Sequence, residues 1–248
     1  MPSRINTFVL HQIIEKSSKN WEDVEVKFFK KMIGLALEKY STISSFKNLN
    51  SSDKEALVLT FDDGFQSDYH FVFPILKELN LTATFFISPS LIGKKDYMTW
   101  EQVQVLSNSG MEIGSHSQNH LFMSRLSDKE LKYEFEKSKS SIEEKISKEI
   151  FSFAYPYGDF SKRTNISARE AGYENVFTSV PGISYINDNF YKRNAIHSSI
   201  TLPLIQNMLN PGKVYLYRKK LKYSFLLFLK ETIGINNYLK LKKLVSEL

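Results

Sequence analysis

The sequence predicts an α/β domain built on parallel strands, and three observations predict it. Short apolar runs suited to buried strands alternate with stretches of helical periodicity. Polar, chemistry-bearing residues recur just after the strand ends, where α/β folds place their sites. A chain of 248 residues, 42% hydrophobic and 24% charged, is long enough for one sizeable core.

The elements follow in order. Thr7 to Ile14 reads as an apolar strand interrupted by His11. From about Trp21 to Lys39 the spacing of Val24, Phe28, Met32 and Leu35 is helical, and a Ser/Asn-rich loop runs from Ser41 to Asp53. Ala56 to Phe61 is a buried strand that stops at Asp62-Asp63-Gly64. A helix around Pro74 to Leu79 has its proline in the first turn, and Thr82 to Ile87 is the next strand. Thr99 to Ser107 is helical, with Thr99 and Gln102 in a capping-box pattern. Met111 to Gly114 is a brief strand leading into Ser115-His116. Ser127 to Lys148 is a long charged helix whose buried stripe includes Leu131, Phe135 and Ile142. Phe151 to Tyr155 is a strand followed by Pro156-Tyr157-Gly158, and Ala168 to Gly172 ends a helix at glycine. Val176 to Ser179 and Phe190 to Ile196 bring the strands to about seven.

Composition excludes several kinds of chemistry. Cysteine is absent, so disulfides, thiolate nucleophiles, iron–sulfur clusters and Cys-ligated zinc are excluded; His and carboxylates remain as metal ligands. The opening segment lacks the apolar region of a secretory signal, and the longest late apolar run, Phe225 to Leu229, is far short of a membrane span. The expectation is a cytoplasmic protein. Net charge of +6 is concentrated: residues 211–248 hold nine basic against two acidic residues, while the rest hold 24 against 25.

Three clusters carry potential chemistry. Adjacent Asp62 and Asp63 follow a buried strand directly, which is costly unless a cation lies near them; read alone, the same residues also suit a surface turn. His116 and His120 are two of only five histidines, and at i, i+4 they can face one point if the segment turns helically. Phe153-Ala154-Tyr155-Pro156-Tyr157-Gly158 ends a strand in a rigid aromatic turn.

Together the three resemble the polysaccharide deacetylase family in order and spacing: TFDDG, then SHxxxH about fifty residues on, then PYG some forty beyond. The segments FDDGFQSDY, ATFFI and MTWEQVQVLSNSGMEIGSHSQNH fit as well, and the likeness runs from about Leu57 to Ile196. The resemblance implies a distorted parallel (β/α) barrel over residues 1–210, with residues 211–248 as a basic amphipathic tail. It implies hydrolysis of the N-acetyl group of an amino sugar in a cell-surface polysaccharide or a lipid- or nucleotide-linked precursor. Asp63, His116 and His120 would hold one divalent cation, zinc first, with cobalt, nickel and manganese as alternatives. Asp62 would be the general base, and the Tyr157 N–H, in the turn set by Pro156, would stabilise the oxyanion.

The pattern departs from the family in three places. Its third motif carries arginine where this chain has Ala154, there is no DxxDW segment (the tryptophans are Trp21 and Trp100), and the late Leu-His pair is missing. Two replacements are expected. FVLHQI resembles the early "YH" strand of the branch that includes bacterial poly-N-acetylglucosamine deacetylases, which makes His11 the general acid, with His197 as the second candidate. Arg193 resembles the arginine that ends the corresponding strand in members with an FAYPYG turn, and would pair with Asp62. The rival readings are a hydrolase of a small non-sugar amide and an inactive carbohydrate- or partner-binding module. The basic tail suggests peripheral contact with an anionic membrane surface, against a plain packed helix; no motif supports nucleic-acid binding.

Overall fold

The computed structural model describes residues 4–16, 20–50, 52 and 54–234. Strand β1 (Arg4–Leu10) is followed by two short paired strands, β2 (Ile13–Ile14) and β3 (Val24–Glu25), and by helix α1 (Val26–Lys39). Next come β4 (Ile43–Ser44), β5 (Glu55–Asp63), α2 (Phe73–Glu78) and β6 (Thr84–Ile87). Helix α3 (Trp100–Asn108), β7 (Glu112–Ser115), α4 (Asp128–Ile146), β8 (Ser152–Ala154), α5 (Lys162–Glu170) and β9 (Asn175–Phe177) continue the alternation. The chain ends in β10 (Ile183–Tyr185), β11 (Asn194–Ala195), α6 (Leu202–Leu209) and α7 (Lys213–Ile233).

The main sheet runs β10-β1-β5-β6-β7-β8-β9, with β4 beside β5 and β11 beside β1. Every pairing in it is parallel except β10 on β1. Right-handed twist curls such a sheet, and the chain then spans the remaining gap. Tyr191 bridges Phe177 at the end of β9, and three residues later β11 pairs with β1. The result is the distorted barrel expected, with two irregularities: the antiparallel β10, and a closing segment where a longer strand was anticipated.

Strand alternation sorts the side chains into two cores. Ile5, Val58, Phe86, Ala154 and Phe177 fill the barrel with Phe46 and Tyr191. Leu57, Leu59, Phe61, Phe85 and Phe153 face outward into the larger layer beneath the helices, which supply Phe29, Leu106 and Phe135 among others. Helix starts follow local chemistry: Thr99 with Gln102 and Ser127 with Glu130 form reciprocal capping boxes. The expected helix from Trp21 begins only at Val26, because Val24–Glu25 is drawn into pairing with β2.

Helix α6 was not anticipated. Its last carbonyls accept hydrogen bonds from the Asn6 side chain (Met208 O, 2.8 Å) and the Tyr40 hydroxyl (Leu209 O, 2.8 Å), which fixes it at the starting end of β1. The expected tail falls partly on α7; residues 235–248, including Leu239, Lys240, Leu241, Leu244 and Val245, lie outside the described residues. Among the described residues no helix is long and apolar enough to cross a membrane.

Candidate metal and catalytic site

Strand β5 delivers both aspartates at the C-terminal edge of the sheet. Asp62 continues the inward series Val58, Thr60, while Asp63 takes a left-handed backbone (φ 75°) that turns its carboxylate toward the strand ends. The turn needs Gly64: its φ is +79°, and a Cβ there would lie 2.9 Å from Ile92 Cδ1 and 3.0 Å from Ile87 Cγ2.

His116 follows the end of β7, the second strand along the sheet from β5. The segment to His120 does not form the helical turn that i, i+4 spacing suggested. It turns through left-handed residues at Ser117 (φ 62°) and His120 (φ 55°), and Ser117 Oγ accepts from the His120 N–H at 3.0 Å. Buried Glu134 on α4 clamps the loop, its two oxygens accepting from the backbone N–H (2.8 Å) and side-chain amide (2.6 Å) of Asn119. Nothing in the sequence marked Glu134, which reads as one more charge on a charged helix.

The loop and the strand end converge. One donor atom each from Asp63, His116 and His120 lies within 4.8 Å of the others, the one such grouping of three among the described residues. Asp63 Oδ1 is 3.4 Å from His116 Nε2 and 3.0 Å from His120 Nε2. The outer nitrogens are occupied: His116 Nδ1 is 2.7 Å from the Ala154 carbonyl, and His120 Nδ1 is 3.2 Å from the Tyr157 hydroxyl. A carbonyl only accepts, so His116 Nδ1 carries the proton and its Nε2 aims a lone pair at two carboxylates. Burial keeps this imidazole neutral, pulling its pKa down to about 4 against the opposing charge of Asp62. A lone pair facing carboxylate oxygens calls for a cation between them, so the residues present fit a divalent metal.

Asp62 is held differently. Burial works against its charge, but Arg193 overrides that and keeps its carboxyl below the ordinary carboxylate value. The guanidinium grips both oxygens, Nη1 to Oδ1 at 2.7 Å and Nη2 to Oδ2 at 2.9 Å, while Nε donates to the Thr178 carbonyl. Arg193 is 1% exposed and lies over the Phe86 ring. Ala154 belongs to the same inner cluster as Phe86. Arg193 is therefore brought against the barrel interior by the closing segment.

The other expected residues divide. His11 directly follows β1, whose last residue Leu10 pairs with Phe61 of β5, and it lies within electrostatic reach of Asp62 and Asp63. Tyr157 adopts a left-handed backbone (φ 58°, ψ 9°) after buried Pro156, and its ring, 53% exposed, stacks on Phe122 at 4.1 Å. His197 stacks on Trp21 at 4.1 Å and shares a 2.8 Å hydrogen bond with Ser199; it is not among the three converging donors.

Asp68 was missed. It sits fully buried on a π-helical turn just after the DDG strand end, both its oxygens lack a partner, and burial with the charges of Asp63 and Asp62 raises its pKa well above the usual range.

Comparison with known proteins agrees with this architecture. The peptidoglycan-N-acetylglucosamine deacetylase of Bacillus cereus is 31% identical over 129 residues, covering 52% of this chain and 58% of that protein. The chain spans 52 to 61% of the length of three curated relatives it matches. Among solved structures, the Streptococcus pyogenes deacetylase PplD in complex with acetate superposes with a TM-score of 0.77 at 22% identity, over 85% of this chain and 100% of the other. A de-N-acetylase from Aggregatibacter actinomycetemcomitans gives 0.73 at 21% identity, over 83% and 100%. At those identities the structural likeness establishes the fold. The sequence pattern of the polysaccharide deacetylase family matches residues 50–176, just over half of the chain, and the protein belongs to that family.

Proposed function

We propose that this protein removes the N-acetyl group from an N-acetylhexosamine unit of a cell-surface polysaccharide or its precursor, releasing acetate. The observation that carries the reading is a pair of adjacent carboxylates in unlike settings. Asp63 faces the Nε2 atoms of two histidines, while Asp62 is locked by the bidentate Arg193. In this reading Asp63, His116 and His120 hold one divalent cation, zinc suiting a carboxylate and two imidazoles, with cobalt, nickel or manganese as alternatives. When bound, such a cation polarises an amide carbonyl and lowers the pKa of a water.

The protein's own groups do the rest. Asp62, kept ionised by Arg193, accepts a proton from the water that adds to the acetamide carbon. The N–H of Tyr157, presented by the turn that Pro156 stiffens, donates to the oxyanion of the tetrahedral adduct. His11 gives a proton to the sugar nitrogen as the C–N bond breaks, leaving acetate and a free amine. An inactive module would rest on Ala154 and the missing DxxDW segment; the guanidinium on Asp62 weakens the first of these.

The names of relatives support a sugar substrate, as does the exposed Tyr157 ring beside the donors. The test is acetate release from N-acetylglucosamine oligomers by protein stripped of metal and by the same protein reloaded with zinc. Release only after reloading, with no turnover of small non-sugar amides, is expected. Turnover of the amides alone would replace the substrate class, and no turnover of either would restore the inactive module.

A further inference from the structure

Helix α7 carries an apolar stripe facing outward. Val214, Tyr217, Leu221, Phe225 and Phe228 are 52 to 68% exposed, and their spacing of three and four residues sets them on one face. Single exposed apolar side chains are ordinary, but five in register along about 21 Å of helix form a continuous surface. The helix is docked by another side: Tyr215 packs on the main core, and the ammonium of Lys219 lies over its ring at 5.7 Å.

Charge borders the stripe. At 100° per residue, Arg218 and Lys222 fall along one margin and Lys213 and Lys220 along the other. Between Lys213 and Lys230 there are six basic residues and no acidic one. A second copy of the chain is a poor occupant, because a two-fold contact through the stripe would bring these cations against their own copies. Apolar and aromatic side chains flanked by cations match the boundary of an anionic bilayer, where rings enter the headgroup layer and basic side chains meet lipid phosphates.

We propose that α7 is a membrane-surface helix that lies on anionic lipid through Tyr217, Leu221, Phe225 and Phe228. It lies along the surface and does not span it. Because α6 is tied to the starting end of β1, α7 departs from the barrel end opposite the metal donors, and no site residue belongs to the stripe. Contact of this kind does not depend on which reaction the site performs.

The test is flotation of the full-length protein with phosphatidylcholine vesicles and with vesicles of phosphatidylcholine and phosphatidylglycerol. Binding to the anionic vesicles, weaker binding to the neutral ones and loss with added salt are expected. Replacing exposed Leu221, Phe225 and Phe228 by Ser should abolish flotation while leaving hydrolysis of a soluble substrate unchanged. The pair Arg218→Glu and Lys222→Glu should weaken it by about tenfold or more. Absence of flotation by the unmodified protein, or equal flotation by the serine variant, would overturn the assignment. So would a dimer that dissociates in that variant, or binding to single-stranded DNA without binding to vesicles.

Discussion

Asp68 sits in surroundings that oppose its charge. It is fully buried near Asp62 and Asp63 without a hydrogen-bond partner, which favours its protonated form in the metal-free protein. The native state then binds a proton that the unfolded chain releases above about pH 4. Stability from this group is complete below that pH and declines as pH rises through the raised native value. Asp62 and Asp63 act in the opposite direction, since their lowered values lose stability only as pH falls below about pH 4. Buried Glu112, also raised, adds a decline shared by any Asp68 variant. His116, lowered to about 4, adds a rise with pH that both proteins share. Asp68→Asn should therefore shift the pH slope of metal-free stability upward relative to the parent above about pH 4, read by urea unfolding; a slope unchanged from the parent would contradict the burial argument. The sequence concealed this residue because Ser67-Asp68-Tyr69 looks like the polar start of a helix, and only the π-helical turn tucks it inward. Asp62, Asp63, His116 and His120 were legible, because two carboxylates after a strand and two clustered histidines are rare enough to be noticed together.

At the scale of elements, the legible parts were those with local causes. The capping box at Thr99 and Gln102, the apolar run of β5 and the stripe of α4 each follow from side chains a few positions apart. The loop from His116 to His120 was misread in shape, since its form comes from Glu134 on a distant helix. That clamp yields a prediction. Replacing Glu134 by Gln sets an amide group against the two N–H donors of Asn119 and loosens the loop that carries His120. Loss of a group that orients a metal ligand weakens metal binding by about 10- to 100-fold. Zinc affinity measured by competition with a chromogenic chelator should fall by that amount, with activity recovering at high zinc; unchanged affinity would show that the clamp does not position the ligand.

Across the whole molecule, barrel closure decides the site. Tyr191, Arg193 and β11 occupy five residues with almost no strand periodicity, yet they join β9 to β1 and carry the guanidinium to Asp62, 131 positions away in sequence. Such contacts depend on topology, which is why Arg193 could be expected only from a family resemblance and β10 and α6 not at all. The central claim is that Asp62 and Asp63, neighbours in the chain, divide the work: one takes a proton, the other holds a metal. The most direct measurement is made on the Asp62→Asn variant, recording zinc per chain and acetate released from N-acetylglucosamine oligomers in one preparation. About one zinc should be retained, as in the parent, with turnover reduced by about 10²- to 10⁴-fold. Full turnover in a zinc-loaded Asp62→Asn protein would contradict the claim.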